Sequence, residues 1–420
     1  MASSYGCQIF GKSHVSKNSS QKIVEEIFWN GKVEIFENII INDNQKLIVE
    51  AGTEVVFNGF YNIKVFGSMI CNGTPDNRIS FSYFNDLFTP DSLHENCWNG
   101  ILVKSSSEND STVFKYTDFK YSKSSVTDNL INFLHGGVIT IYNSSKISID
   151  GCSFQNNYSL YGGAVSILYD SYPLISNSIF SKNYGEFSGS AIYNFYSYPV
   201  LVNNTLVNNF IIDDDQFALN STVHNFISKL LFTNNIVFNN TYAYKELFEA
   251  KEFFTYRNDI SEEMEGNISI DPILNSDFSL DADSECINYG DNEILYNFGL
   301  YKDFNGNSRI YGDRCDLGAL EYSPDEIDEN TTKNSSLSFA YPNPFNNSTN
   351  IVFHNSVDIS LSLRIFNIKG EVIVESLIKN CGIGVVSFEC DFSNFTSGIY
   401  FYEISNEKAV LTDGKLSFIK

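Results

Sequence analysis

Asp213, Asp214 and Asp215 stand side by side just after an apolar run, with Asp170 earlier in the chain. Paired carboxylates hydrolyse glycosidic bonds when their separation is fixed, one giving a proton and the other acting as nucleophile or base. The other arrangement suited to polysaccharides is an Arg or Lys base beside a calcium cluster, which needs several converging oxygen ligands. Three adjacent aspartates are equally readable as a solvated bulge. They stand as catalytic candidates only, and no catalytic residue is assigned.

Asp303-x-Asn305-x-Asn307 places oxygen ligands at alternating positions, as the start of a calcium loop does. The bidentate Glu expected at the twelfth position falls at Arg314, so the loop is incomplete. The alternative is an Asx-rich turn in which Arg309 pairs with Asp303. No other cofactor pattern is legible. His14, His94, His135, His224 and His354 share no motif spacing and read as surface or corner residues. The eight cysteines contain no Cys-x-x-Cys, which argues against zinc and thioredoxin-type chemistry. Cys286 with Cys315, and Cys381 with Cys390, are the pairs that could form disulfides; buried thiols are the alternative.

The frame that would position these groups is a repeat. Phe154, Phe180 and Leu206 recur at one fixed interval, and so do Asn157, Asn183 and Asn209. Ahead of them lie the small-residue corners Gly136-Gly137, Gly162-Gly163 and Gly189-Ser190. The interval is too short for a pair of packed helices, which needs roughly 33 residues. Ser, Asn, Thr, Tyr, Phe, Ile and Val dominate, and these favour strands and turns. Stacked units of this kind place each strand about 4.8 Å from its copy on the next turn. The expected fold is all-β: a parallel β-helix, right-handed by the crossover rule. The asparagines are expected to form a side-chain ladder that reaches Asn240 after a longer turn, with Phe154, Phe180 and Leu206 stacked beside it.

With 43% hydrophobic residues the chain can bury a core, and no run approaches a membrane span of about 20 apolar residues. The formal net charge of −24 argues against nucleic acid or anionic membrane as partner. A monomer is expected. The first residues carry no legible signal peptide, which by itself reads as cytoplasmic; the other end of the chain points to export.

Residues 1–28 are uninformative. Coils are expected from residue 29 to 322, with loops at 82–97, 104–112, 122–130 and 210–220, and a helical turn around Tyr244, Leu247, Phe248 and Lys251. The phrases Leu47-Ile48-Val49-Glu50-Ala51-Gly52-Thr53, Gly73-Thr74-Pro75 and Trp98-Asn99-Gly100-Ile101 resemble bacterial right-handed parallel β-helix repeat proteins. The Gly-Gly-Ala-Val and Phe-x-x-Asn phrases resemble those of chlamydial polymorphic outer-membrane proteins. Residues 267–322, with Asp303-Phe-Asn-Gly306 and Asp316-Leu-Gly318-Ala319-Leu-Glu321, resemble a terminal module of secreted β-helix proteins that often precedes a surface anchor. It is expected to cap the last coil, whose backbone edge would otherwise be open. Residues 323–339 have linker composition.

Residues 340–420 alternate as six or seven strands, giving a small immunoglobulin-like β-sandwich. Tyr341-Pro342-Asn343-Pro344-Phe345 is a rigid opening turn, because proline fixes φ and donates nothing to a ladder. With Gly370, Gly398, Gly414 and Lys415 in their phrases, this block resembles the type A C-terminal sorting domain of type IX secretion substrates. The resemblance implies the type IX machinery as partner, and a secreted or cell-surface destination. The expected role is a non-catalytic adhesin, structural wall or glycan binder, with extracellular glycans or cell-surface proteins as partners. The alternative is a polysaccharide lyase or glycoside hydrolase of the pectate-lyase-like β-helix class, its site between loops 82–97 and 210–220.

Overall fold

The computed structural model describes residues 24–84, 96–104, 111–124, 136–212, 221–240, 245–249, 253–260, 266–323, 338–341, 345–355, 359–381, 384–406 and 410–419. The chain forms two compact units, Met1–Ser323 and Pro324–Lys420.

In the first unit three parallel sheets run the length of a coil, two of nine strands and one of eight. The first sheet begins at Glu25–Trp29, the second at Lys32–Ile35 and the third at Ile39–Ile41. Later coils add one strand to each sheet, as Ile147–Asp150, Ser153–Gln155 and Val165–Leu168 do, and the last described coil adds to the first two alone. On three coils a fourth strip, Tyr158–Tyr161, Tyr184–Ser188 and Phe210–Ile211, lies between the second and third sheets.

The core follows from alternation. In the second sheet Phe81, Phe119, Phe154, Phe180, Leu206 and Val237 share one register line and point inward. Phe119, Phe154 and Phe180 stack at centroid separations of 5.1 and 4.7 Å. Trp98 joins the stack against Phe57 at 4.4 Å. Each such ring pair is worth about 0.5–1.5 kcal/mol beyond its buried area.

Buried amides turn the corners. Asn157, Asn183 and Asn209 each donate from Nδ2 to the Oδ1 of the next rung, ending at Asn240, at 2.9 Å every time. A second ladder, Asn204, Asn235, Asn258 and Asn267, lies between the first and second sheets. The glycine corners need glycine. Gly162 and Gly189 adopt φ of 70° and 64°, and a Cβ on Gly137 or Gly163 would collide with the carbonyl of the next coil.

Four expectations need correction. Leu247 and Phe248 lie in the strand Lys245–Glu249, not in a helical turn, because the segment adds to the open edge at Ser221–Phe226. Ser122 and Lys123 bridge to Trp98 and Tyr158 and so continue the coil. Thr112 opens a strand. Residues 267–322 cap the last coil only at their start, where Ile260 N–H bonds Ile268 O and Asn258 bonds Asn267. They then run back as a strap along the outer face of the second sheet. Ala319 and Leu320 pack on Ile179, Leu317 on Val207 and Ile236, and Arg78 lies 4.2 Å over the Phe304 ring. Ala319 N–H donates to Thr205 Oγ1 at 2.9 Å. The strap is fixed because the outward positions it covers are apolar, which leaves surface to bury.

The second unit has a three-stranded and a four-stranded antiparallel sheet. Its first strand, Ser338–Tyr341, starts inside the expected linker and pairs with Ser348–Asn355. Phe345, Phe392 and Phe418 meet in its core.

Candidate functional site: an aromatic face along the coil

Along the third sheet, Ile139, Val165, Ile192 and Val223 point inward. Tyr142, Leu168, Phe195 and Phe226 share the opposite line, on which Leu168 is fully covered and the three rings are half-buried. The chain then turns sharply through left-handed residues Asn143, Tyr169, Tyr196 and Ile227, at φ of 47°, 48°, 51° and 51°. Behind the turn, buried serines knit the coils: Ser144 N–H donates to Ser171 Oγ and Ser197 N–H to Ser228 Oγ. The backbone bonds Tyr172 N–H to Ser144 O, Tyr198 N–H to Ser171 O and Lys229 N–H to Ser197 O. These put Ser145, Tyr172, Tyr198 and Lys229 in one outward row.

The turn therefore presents aromatic rings to solvent. Tyr172 and Tyr198 stack at 4.7 Å with planes 5° apart, and are 48% and 37% exposed. Tyr196 is 46% exposed and lies parallel to Tyr169. Phe195 meets Tyr169 edge-on and stacks on Phe226. Lys104 Nζ sits 4.8 Å from the Tyr142 centroid. Partial burial, then Tyr198 and Asp170, push the Tyr172 phenol up. Rings of this kind offer flat apolar contact with a polar tip.

A second cluster lies where the fourth strip meets the second sheet. Tyr158 donates its hydroxyl to Glu186, and Lys123 Nζ lies 4.9 Å from the Tyr158 centroid. Burial lowers the Lys123 ammonium, against the pull of Cys97 and Glu186, and burial pushes Cys97 up to about 11.

Comparison with known families fixes what this coil and its tail are. Residues 92–260 match the family model for the right handed beta helix region. Residues 339–417 match the secretion system C-terminal sorting domain. The protein is a secreted or cell-surface β-helix. Its partner in export is the type IX secretion system, engaged through the sorting domain. No helix among the described residues is long and apolar enough to cross a membrane. A comparison with curated proteins finds no match.

The β-helix protein places the other candidates as follows. Asp213, Asp214 and Asp215 lie outside the described residues, as do Pro342, Asn343, Pro344, His14, His94 and His135. In the sorting domain Phe345 N–H bonds Ser417 O, and Gly370 closes the Asn367–Gly370 turn at φ 81°. Gly398 opens a strand, and Gly414 and Lys415 pair with Tyr402 and Phe401. His224 is buried, not at the surface. Its Nδ1 lies 2.7 Å from Ser188 Oγ and its ring stacks on Tyr193. The sharp glycine corner folds the fourth strip against the third sheet and encloses it.

The disulfide pairs do not form: Cys286, Cys315 and Cys390 are free, buried thiols. Cys286 Sγ points to Asp259 and Cys315 Sγ to Asn234. Cys381 lies in the four-stranded sheet and Cys390 in the three-stranded one. The calcium candidates sit in a closed turn. Asp303 Oδ1 accepts the N–H groups of Asn305 and Asn307, and Oδ2 accepts that of Glu321, so the carboxylate serves its own turn. Arg309 pairs with Glu321 at 3.7 Å rather than with Asp303, and donates Nη2 to the carbonyls of Asp316 and Gly318.

Under the strap, carboxyls sit in poor solvent. Burial pushes Asp259 up to about 6, and burial also raises Asp316 and Glu321, the latter against the pull of Arg309. Each raised carboxyl holds its proton more tightly when folded. Its contribution to stability is full below its unfolded value and is lost as pH rises through the folded one. Asp259 alone contributes on the order of 1 kcal/mol more at pH 5 than at pH 7.5. The thermal midpoint of the full chain is therefore expected to be a few degrees higher near pH 5 than near pH 8. A scan showing the reverse order would refute this.

Proposed function

We propose that the β-helix is a non-catalytic adhesive surface that binds glycans along its aromatic face. The observation that carries this reading is the outward pair Tyr172 and Tyr198 with Tyr196 beside it, large rings exposed on two successive coils, backed by the half-buried Phe195. Rings stack on the C–H faces of sugars, and their hydroxyls reach sugar oxygens. A polysaccharide panel applied to the full chain, read for both binding and product release, tests it. Replacing Tyr172 and Tyr198 together by Ala is expected to weaken binding about tenfold, from about 0.5–1.5 kcal/mol per ring. Retained affinity in that variant counts against the face. Lys123, Tyr158 and Glu186 favour a second reading, a polysaccharide lyase or glycoside hydrolase, since acid and base groups from three coils meet there. Shortened oligosaccharides in the panel would favour that reading over ours.

A further inference from the structure

We propose that the aromatic face takes an extended anionic glycan, a chain of carboxylated or sulfated sugars lying along the coil axis. The proposal rests on the glycan-binding reading and adds the class of ligand. The chain carries 51 acidic against 27 basic residues, so its overall charge repels polyanions. The aromatic face departs from that balance. Lys104 follows Val103 in the line of Tyr142, Lys146 follows Ser145, and Lys229 ends the row of Tyr172 and Tyr198; all three are exposed. Among the described residues of this turn, Asp170, beside Tyr172, is the acid. At physiological salt the Debye length is about 8 Å, so a bound chain senses these ammonium groups more than distant carboxylates.

The geometry sets the direction. Asn143, Tyr169, Tyr196 and Ile227 occupy one position on four successive coils, as do Ser145, Tyr172, Tyr198 and Lys229. At about 4.8 Å per coil these rows span about 14 Å, with Lys146 towards the early coils and Lys229 towards the late ones. A linear glycan laid on the rows meets rings in the middle and a cation at either end.

The test titrates the full chain with a polyuronate, a sulfated galactan and a neutral galactan of matched length, in about 50 and about 500 mM salt. The expected result is at least about tenfold tighter binding of an anionic chain at low salt, with the preference lost at high salt. The two anionic arms show whether carboxylate or sulfate is read. A variant with Lys104→Gln, Lys146→Gln and Lys229→Gln should bind all three glycans alike, while circular dichroism shows the coil intact. Equal binding of the neutral galactan by the unchanged protein overturns the proposal and leaves the glycan-binding reading standing. So does an anionic preference that survives in the lysine variant. Failure of every glycan to bind overturns both.

Discussion

Truncation after Ser323 is expected to abolish delivery to the cell exterior. The cut falls at the boundary between the two compact units, so the β-helix keeps every coil and its strap. What is lost is the unit containing residues 339–417, the secretion system C-terminal sorting domain. Expressed behind an inner-membrane leader in a host with the type IX system, the truncated protein should collect in the periplasm, with a surface signal at least about tenfold below that of the full chain. Cell fractionation and surface labelling measure this, and circular dichroism on the periplasmic pool checks that the coil still folds. A milder lesion should give a graded result. Phe345 is buried against Phe392 and Phe418, so Phe345→Ala removes about 3–5 kcal/mol from the sorting domain and should lower delivery in step with its folding. Unchanged surface delivery after truncation would show that export does not depend on this domain.

Asn183→Ala should be the most damaging single substitution in the corner ladder. The Asn183 amide donates to Asn209 Oδ1 and to Phe154 O, both at 2.9 Å, and its Oδ1 accepts from the N–H and Nδ2 of Asn157. Alanine leaves these partners buried and unmatched, at about 1–3 kcal/mol for each that cannot find a substitute, so a loss on the order of 3–5 kcal/mol is expected. Asn239→Ala is the control. Its amide bonds Asn208 on the exposed side of the coil, where water replaces the bond, and alanine at its left-handed φ of 54° should cost about 1 kcal/mol, well below the ladder variant. Denaturant midpoints for the two variants measure the contrast. Equal midpoints would mean that the ladder contributes no more than a surface contact.

The repeat was legible because its marks are inward residues that meet their own copies. Phe154 lies on Phe180, and Asn157 bonds Asn183, so one register preserves both spacings. The strap was not legible as a strap, since its partners lie far back in the sequence and carry no motif. A signal was present all the same. Ile179-Phe180 and Ile236-Val237 put two apolar residues in succession on one strand, which breaks the alternation of a sheet with a wet outer face. On these late coils the strap covers the outer face, so both faces of the sheet are dry there. His224 was missed for a similar reason, because burial at the glycine corner depends on a strip of other coils and not on local spacing. The aromatic face was foreseen as a class of residue but not as a place. The left-handed turn at Tyr169 and Tyr196 that lifts the rings outward has no sequence mark, as tyrosine is an unusual residue there.

The strap also determines how the wall bears load. The chain leaves the first unit at Ser323, directly after Ala319 and Leu320 have been seated on Ile179 and Thr205. A pull on the tail therefore does not peel away the terminal coil one strand at a time. It first loads Leu317, Ala319 and Leu320, which are seated on Ile236, Thr205 and Ile179 of three successive coils. Tension on the tail is thereby shared among several coils before the open end of the β-helix can fray.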